Sequence, residues 1–389
     1  MALRLGVVAG EASGDLLGAG LMAAMKARTP CTFEGICGPA MIAEGGLSRY
    51  PMEALSVMGI SEVMGRLPTL IRMRRDLIRY FRKTRPDCVI GIDSPDFTLA
   101  LERALKKDGI PVVHYVSPTV WAWRRYRVRT VARSADLLLT LFPFEPRYYE
   151  GHMDATFVGH PLADMIVPEP GTQRARTQLN LETRGPVIAL LPGSRVSELK
   201  AHAELFVRTA ARLALRYPHC RFIAPFVNRE TRAVFDEALN KHAAADLPIT
   251  RLHGHARLAM AAADIVLLAS GTAALEAALI GRPMIIVYRL SAVSYRLIRS
   301  LSRLKYYSLP NHLLGRALVP ELIQSNATVD ALVAHAARLM DCAEQRAEMG
   351  QAFATLQGLL KRDANAQAAN AVLQLIRTRQ GSVVASCAS

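Results

Sequence analysis

Short, almost wholly apolar runs recur along the chain, and most are followed by Gly, Ser, Pro or Asp and then by a helical pattern. Runs of this kind predict strands, and those without a polar position, such as Cys88–Ile92 and Val187–Leu191, predict strands buried on both faces. In the first half they fall at Leu3–Ala9, Thr32–Cys37, Cys88–Ile92, Val112–Val116 and Leu137–Leu141, and Thr156–Val158 leads into Gly159-His160-Pro161-Leu162. In the second half they fall at Val187–Leu191, Arg221–Pro225, Ile249–Leu252, Ile265–Ala269 and Met284–Tyr288. Helical periods between them cover Leu16–Lys26, Phe97–Lys107, Ala201–Tyr217, Glu230–His242 and Ala256–Ala263. Strands alternating with helices predict the α/β class, with parallel, doubly wound sheets. Residues 166–185 are rich in Pro, Gly, Thr and charge and lack an apolar period, so they read as a linker. The expected organisation is therefore an N-terminal Rossmann-like domain over 1–165 and a C-terminal one over 186–340. Helices Val329–Cys342, Glu344–Leu360 and Asn365–Arg377 close the chain, before a small, polar tail.

One helical stretch departs from this pattern. Ile60–Lys83 combines Val63, Met64, Leu67, Leu70, Ile71, Met73, Leu77, Ile78 and Phe81 with a dense set of arginines, and Pro68 is expected to break it. Val293–Tyr307 is similarly basic and apolar. Such helices suit either an anionic membrane surface or an ordinary basic outer face, and periodicity does not choose between them.

Composition narrows the field. At 389 residues, with 51% hydrophobic and 21% charged, the chain can bury two cores. Aromatics at 6% are too sparse for base-stacking platforms, and no C-x-x-C occurs among six scattered cysteines, which argues for a reducing cytoplasm and against a zinc site. No signal peptide or transmembrane helix is expected. The net charge of +15 points to nucleic acid, an anionic membrane or anionic substrates.

Candidate chemistry sits where strands end. Pro192-Gly193-Ser194-Arg195 follows a buried strand and opens a helix with Glu198 in its first turns. Free N–H groups, the helix dipole and the Arg195 fork would together suit a diphosphate, with Ser194 as a cap. Ser270-Gly271-Thr272 repeats the arrangement, and Glu276, one turn on, is placed to accept from vicinal ribose hydroxyls, or else to cap its own helix. In the first half, Gly10–Asp15 is a Gly-rich loop without the G-x-G-x-x-G pattern, and Asp93 and Asp96 follow a buried strand directly. One cap would suffice there, so the second acid favours a functional carboxylate. Both tryptophans, Trp121 and Trp123, precede the basic run Arg124–Arg133, readable as an RNA surface or as a pocket wall over a basic helix.

Longer words go further. V-A-G-E-A-S-G-D (Val8–Asp15), G-I-D-S-P-D-F (Gly91–Phe97), H-Y-V-S-P-T-V-W-A-W (His114–Trp123) and F-V-G-H-P-L (Phe157–Leu162) resemble the lipid-A-disaccharide synthases. So do L-L-P-G-S-R (Leu190–Arg195), A-S-G-T-A-A-L-E (Ala269–Glu276), S-L-P-N (Ser308–Asn311) and V-P-E-L-I-Q (Val319–Gln324). The resemblance implies a GT-B glycosyltransferase, with its two Rossmann-like domains facing an interdomain cleft. It implies the joining of UDP-2,3-diacylglucosamine to 2,3-diacylglucosamine 1-phosphate, giving a β-1,6-linked lipid A disaccharide 1-phosphate and UDP. It implies work in the cytoplasm, peripherally at the anionic inner-membrane surface of a Gram-negative cell, which gives the basic apolar helices a use.

An inverting displacement needs a base for the acceptor 6-hydroxyl, for which Asp93 is the first candidate and Asp96 the second. Arg195 would stabilise the departing diphosphate without a metal or other cofactor. By the same resemblance Gly193, Ser194, Arg195, Ser270, Gly271, Thr272, Glu276, Asn311, Glu321 and Gln324 belong to the nucleotide. Glu11, Ser13, Trp121 and Trp123 belong to the acceptor, and His160 matches a motif whose role is equally well structural. No nucleic-acid partner is expected. The last helices, about 345–379, either pack back on the N-terminal domain or exchange between subunits of a homodimer. The rival enzyme reading is a UDP-sugar 2-epimerase or another GT-B enzyme with a soluble acceptor, and a basic RNA-binding protein is a distant third.

Overall fold

The structure, a computed structural model, describes residues 2–55, 60–122, 125–166, 171–181, 185–269, 271–290 and 305–387. Trp123, Ser270 and most of the basic segment 293–307 lie outside them. The chain forms two compact units, one of Met1–Asp164 with Leu360–Ser389 and one of Met165–Leu359.

In the first unit, strands β1 (Leu3–Ala9), β2 (Cys31–Ile36), β3 (Gly46–Ser48), β4 (Cys88–Ile92), β5 (Val112–Tyr115), β6 (Leu137–Thr140) and β7 (Asp154–Phe157) form one sheet. The order is β3-β2-β1-β4-β5-β6-β7, and every pairing is parallel. Strands β4, β5 and β6 are buried at every position, as strands covered on both faces are. The unit's helices are α1 (Ala12–Lys26), α2 (Pro39–Ala43), α3 (Ile60–Thr84), α4 (Pro95–Lys107) and α5 (Arg127–Ser134), and α6 (Pro161–Met165) follows the last strand.

Three expectations are corrected here. Helix α1 begins at Ala12, not Leu16, so the loop after β1 is only Gly10 and Glu11. Asp15 lies inside the helix, buried, where its carboxylate accepts from the Ala40 and Met41 N–H groups and so caps α2. Helix α3 runs through Pro68 without a break. Its far half buries Met73, Leu77 and Phe81 at i, i+4, i+8, and this tertiary anchoring outweighs local propensity. Edge strand β3, three residues long, carries no pattern long enough to announce itself.

The second unit repeats the design. Strands β8 (Val187–Leu191), β9 (Arg221–Phe226), β10 (Ile249–His253), β11 (Ile265–Ala269), β12 (Met284–Tyr288) and β13 (Glu321–Ile323) are all parallel, in the order β10-β9-β8-β11-β12-β13. Helices α7 (Thr172–Gln178), α8 (Val196–Arg216), α9 (Arg229–Lys241), α10 (Ala256–Ala262) and α11 (Thr272–Leu279) accompany them. Helix α7 lies within the stretch expected to be a linker. Its Ala175 joins the core, and Arg176 pairs with Asp264 at 2.8 Å. The V-P-E-L-I-Q word forms edge strand β13, which the sequence pattern does not announce.

At the end of the chain, helix Ala364–Cys387 returns to the first unit. Ala368, Ala369, Val372 and Ile376 enter its core, and Asn370 accepts from Arg28 at 2.9 Å. Among the described residues, no helix is long and apolar enough to cross a membrane.

Candidate active site

Each sheet reverses its winding once, between β1 and β4 in the first unit and between β8 and β11 in the second. Such a switch point leaves a crevice at the carboxyl ends of its two strands, where α/β proteins bind ligands. All four loops singled out in the sequence leave these strands.

In the first unit, Asp93 and Ser94 both adopt left-handed conformations, at φ 52° and 46°, between β4 and α4. This sharp turn leaves the Asp93 N–H bonded to the Tyr115 carbonyl at 2.9 Å and half-buries its side chain. The loop after β1 presses close, since a Cβ on Gly10 would stand 2.1 Å from the Ser94 Oγ, and only glycine fits there. Asp93 lines a cavity of about 230 Å³ with Pro95, Ser117, Thr119, Val120 and Arg127. Asp96, in contrast, faces solvent and pairs with Arg127. The two acids therefore occupy different environments. Glu11 is the N-cap of α1 and Ser13 lies in its first turn, both exposed at the same end of the sheet. Trp121 is half-buried against Phe144, edge to face with centroids 5.4 Å apart.

Two further features of this unit carry little sequence signal. Glu102 on α4 and His114 on β5 are fully buried, with Oε1 and Nδ1 2.8 Å apart. Glu145 is buried beyond β6, where its carboxylate accepts from the Leu141 and Phe142 N–H groups at 3.1 and 3.0 Å. Burial pushes its pKa up to about 8, against those two bonds and the electrostatic pull of the nearby Trp121 indole, which favour the charged form. His160 is buried too, which lowers its pKa to about 4. Its ring accepts from the Leu162 N–H at 3.2 Å and its own N–H donates to Leu360, so it braces the chain.

In the second unit, Gly193 stands at φ 137°, where a Cβ would meet the Glu198 Cβ at 2.5 Å. The N-cap of α8 is Arg195 rather than Ser194. The turn's donors are not free as the sequence suggests. Glu198 Oε2 accepts from the Ser194 N–H at 2.9 Å and the Arg195 N–H at 3.3 Å. A carboxylate one turn into a helix does this readily, because the helix N-terminus favours any nearby anion. The Arg195 side chain is exposed, its Nη1 3.9 Å from Glu198 Oε1. Gly271 and Thr272 open α11 and are exposed, and Glu276 receives Arg257 Nε at 2.9 Å. Arg257 lies on α10, nineteen positions away, and no local motif marks it.

The remaining expected nucleotide residues brace one another. Asn311, buried, donates to the Val319 carbonyl and to Glu321 Oε1, both at 2.8 Å, and accepts from the Leu318 and Val319 N–H groups. Glu321 also accepts from the Tyr307 N–H and from the Ser308 N–H and hydroxyl. Gln324 clasps the Leu290 backbone from both sides, accepting at 2.6 Å and donating at 3.1 Å. Among the described residues, no group of three or more His, Cys, Asp or Glu is placed to hold a metal.

The sequence profile of the Lipid-A-disaccharide synthetase family matches residues 5–372. The chain belongs to the lipid-A-disaccharide synthetase family. The lipid-A-disaccharide synthase of Methylobacillus flagellatus is 47% identical over 375 residues, covering 96% of this chain and 99% of that one. That of Pseudomonas aeruginosa is 49% identical over 379 residues, covering 97% and 99%. The chain is thus a glycosyltransferase of lipid A disaccharide synthesis, and the epimerase and RNA-binding readings give way to it. Solved structures agree on the fold. The UDP-GlcNAc 2-epimerase of Neisseria meningitidis, bound to UDP-GlcNAc, superposes with a TM-score of 0.63 at 12% identity, covering 97% of this chain and 100% of that one. A Rickettsia africae glycosyltransferase gives 0.58 at 13%, covering 97% and 98%. At such identity the likeness establishes the GT-B type of fold and nothing about ligands.

Proposed function

We infer that this family member joins UDP-2,3-diacylglucosamine to 2,3-diacylglucosamine 1-phosphate, with the donor nucleotide held by the second unit and the acceptor by the first. The observation that carries the assignment is the placement of the motif loops at the two switch points. The Pro192–Arg195 turn and the start of α11 leave neighbouring strands, as a diphosphate bridging them requires. Glu276, steadied by Arg257, is suited to accept from the ribose hydroxyls. Asn311, Glu321 and Gln324 would serve as scaffold behind the nucleotide rather than as its direct ligands, since their side chains already bond within the protein.

Asp93 is the base in this reading. It takes the proton of the acceptor 6-hydroxyl as that oxygen bonds to the anomeric carbon and the bond to UDP breaks, inverting the centre. The environment separates Asp93, in a cavity, from Asp96, whose carboxylate is engaged by Arg127 in open solvent. Arg195 offsets charge growing on the leaving diphosphate. The outer positions of α3, among them Arg72, Arg75, Arg79 and Arg82, form a basic exposed face suited to an anionic membrane, where acylated substrates reside.

Arg195→Ala tests the donor half. UDP affinity, measured by calorimetry, should fall by at least about tenfold, as loss of a charge-assisted contact requires. Unchanged affinity would remove the diphosphate from this turn. Sedimentation with phosphatidylglycerol vesicles, falling away as salt rises, tests the membrane face. Equal binding to neutral vesicles would count against it.

A further inference from the structure

The wall of the Asp93 cavity is held from behind by residues that take no part in the chemistry above. Ser117, Thr119 and Val120 form that wall, on the segment leaving β5. Ser117 is buried, and its Oγ meets the fully buried Tyr149 hydroxyl at 2.9 Å. Val120 is buried in a small satellite core with Tyr149, Leu99, Val128, Val131 and Leu138. Trp121, the next residue, rests its ring against Phe144, and Phe144 stacks on Phe142 with planes 1° apart and centroids separated by 5.7 Å. Glu145 folds that aromatic turn by accepting from the Leu141 and Phe142 N–H groups.

We propose that Glu145 and Tyr149 are positioning residues for sugar transfer, clamping the Ser117–Trp121 segment so that it faces Asp93 and shapes the acceptor site. The clamp has two points of attachment. Tyr149 fixes the start of the segment through a hydroxyl pair, and Glu145 fixes its end by folding the aromatic turn on which the Trp121 ring rests. A buried carboxyl with two backbone N–H groups on one oxygen has little freedom to move, because any rotation strands donors away from water. The arrangement therefore transmits a fixed geometry from the β6 loop to the cavity wall. Tyr149 and Glu145 are four residues apart, and Tyr149 belongs to the satellite core, so both clamps share one anchored turn. The proposal rests on reading the Asp93 cavity as the acceptor site.

The test uses the full chain with Glu145→Gln, Glu145→Leu and Tyr149→Phe. Glutamine keeps an accepting oxygen at nearly the same volume, and leucine does not. Glu145→Leu should raise the acceptor KM by about tenfold or more while UDP affinity stays unchanged, and Glu145→Gln should restore it. In a Trp123→Phe background Trp121 is the chain's single tryptophan, and its emission should move to longer wavelength in Glu145→Leu but not in Glu145→Gln. Tyr149→Phe removes only the hydroxyl and should raise the acceptor KM about threefold or more, and it stands as the test if the leucine variant does not fold. An unchanged acceptor KM in Glu145→Leu, or in Tyr149→Phe where that variant stands in, overturns the proposal. So does a glutamine variant as impaired as the leucine one. Persistence of turnover in Asp93→Ala would instead remove the acceptor-site reading, whatever the Trp121 signal shows.

Discussion

Glu198 Oε2 lies 2.9 Å from the Ser194 backbone nitrogen and accepts its proton, so a carboxylate of the chain occupies the donors that a diphosphate would use. On the proposed reading, the negative charge would compete with the nucleotide for the same N–H groups. Glu198→Gln keeps an accepting oxygen for the helix cap and removes the charge. We expect UDP to bind it several-fold more tightly in calorimetry, a difference on the order of 1 kcal/mol. Weaker binding would show that Glu198 supports the nucleotide rather than opposing it.

Asp93 and Asp96 separate by substitution. Asp93→Ala should lose turnover by at least about 100-fold while UDP affinity is retained. Asp96→Ala breaks a pair that is exposed on the acid's side and should change turnover by less than about tenfold. Near-normal turnover in the first, or collapse in the second, would reverse the assignment.

Arg257 steadies Glu276 at 2.9 Å. Arg257→Ala should weaken UDP binding by about three- to tenfold. The same substitution should have a smaller effect on binding of 2′-deoxy-UDP, because one of the two hydroxyls that Glu276 would hold is missing. Equal losses for both nucleotides would place the contribution of Arg257 elsewhere.

Glu145 and His160 pull stability in opposite directions with pH. The folded chain keeps the Glu145 proton up to about 8, while the unfolded chain releases it near 4.5. Over that range the folded state binds more protons, so stability falls as pH rises and levels off above 8. His160, with its pKa near 4 rather than 6.5, makes stability fall as pH drops from 6.5 towards 4. The two effects oppose each other between 4.5 and 6.5, and from 6.5 to 8 that of Glu145 stands without the other. Urea unfolding should show wild type losing about 1–2 kcal/mol between those two values relative to Glu145→Gln. Parallel pH profiles for the two proteins would show that Glu145 ionises normally.

Asn311 has both amide atoms engaged in a buried network with Val319 and Glu321. Asn311→Ala leaves two backbone N–H groups and a carboxylate short of partners and should destabilise the protein by about 2–4 kcal/mol in urea. Unaltered stability together with lost UDP affinity would instead make Asn311 a direct ligand.

The two parallel sheets, the order of their strands along the chain and the loops bearing chemistry were readable because each rests on local chemistry. Runs such as Val187–Leu191 and Cys88–Ile92 have no polar face, so they must lie in sheets covered on both sides. The acids and small residues directly after them must then stand at strand ends. Family membership was readable for another reason, since long words such as G-I-D-S-P-D-F survive as text whatever their geometry.

Partnerships across long sequence separations depend on folding. Arg257 with Glu276, Asn311 with Glu321 and the Glu145 turn with Trp121 join residues whose spacing follows no period, and only packing decides that they meet. Free donors at the Ser194 turn were a sound local inference from the Gly-Ser-Arg turn. The folded helix lets Glu198 reach back to them, because an acid in the first turn is drawn to the unsatisfied N–H groups of its own helix N-terminus. Asp93 and Asp96 read alike as letters, three positions apart. Left-handed backbone at Asp93 turns it into the cavity, and the first turn of α4 turns Asp96 out to Arg127.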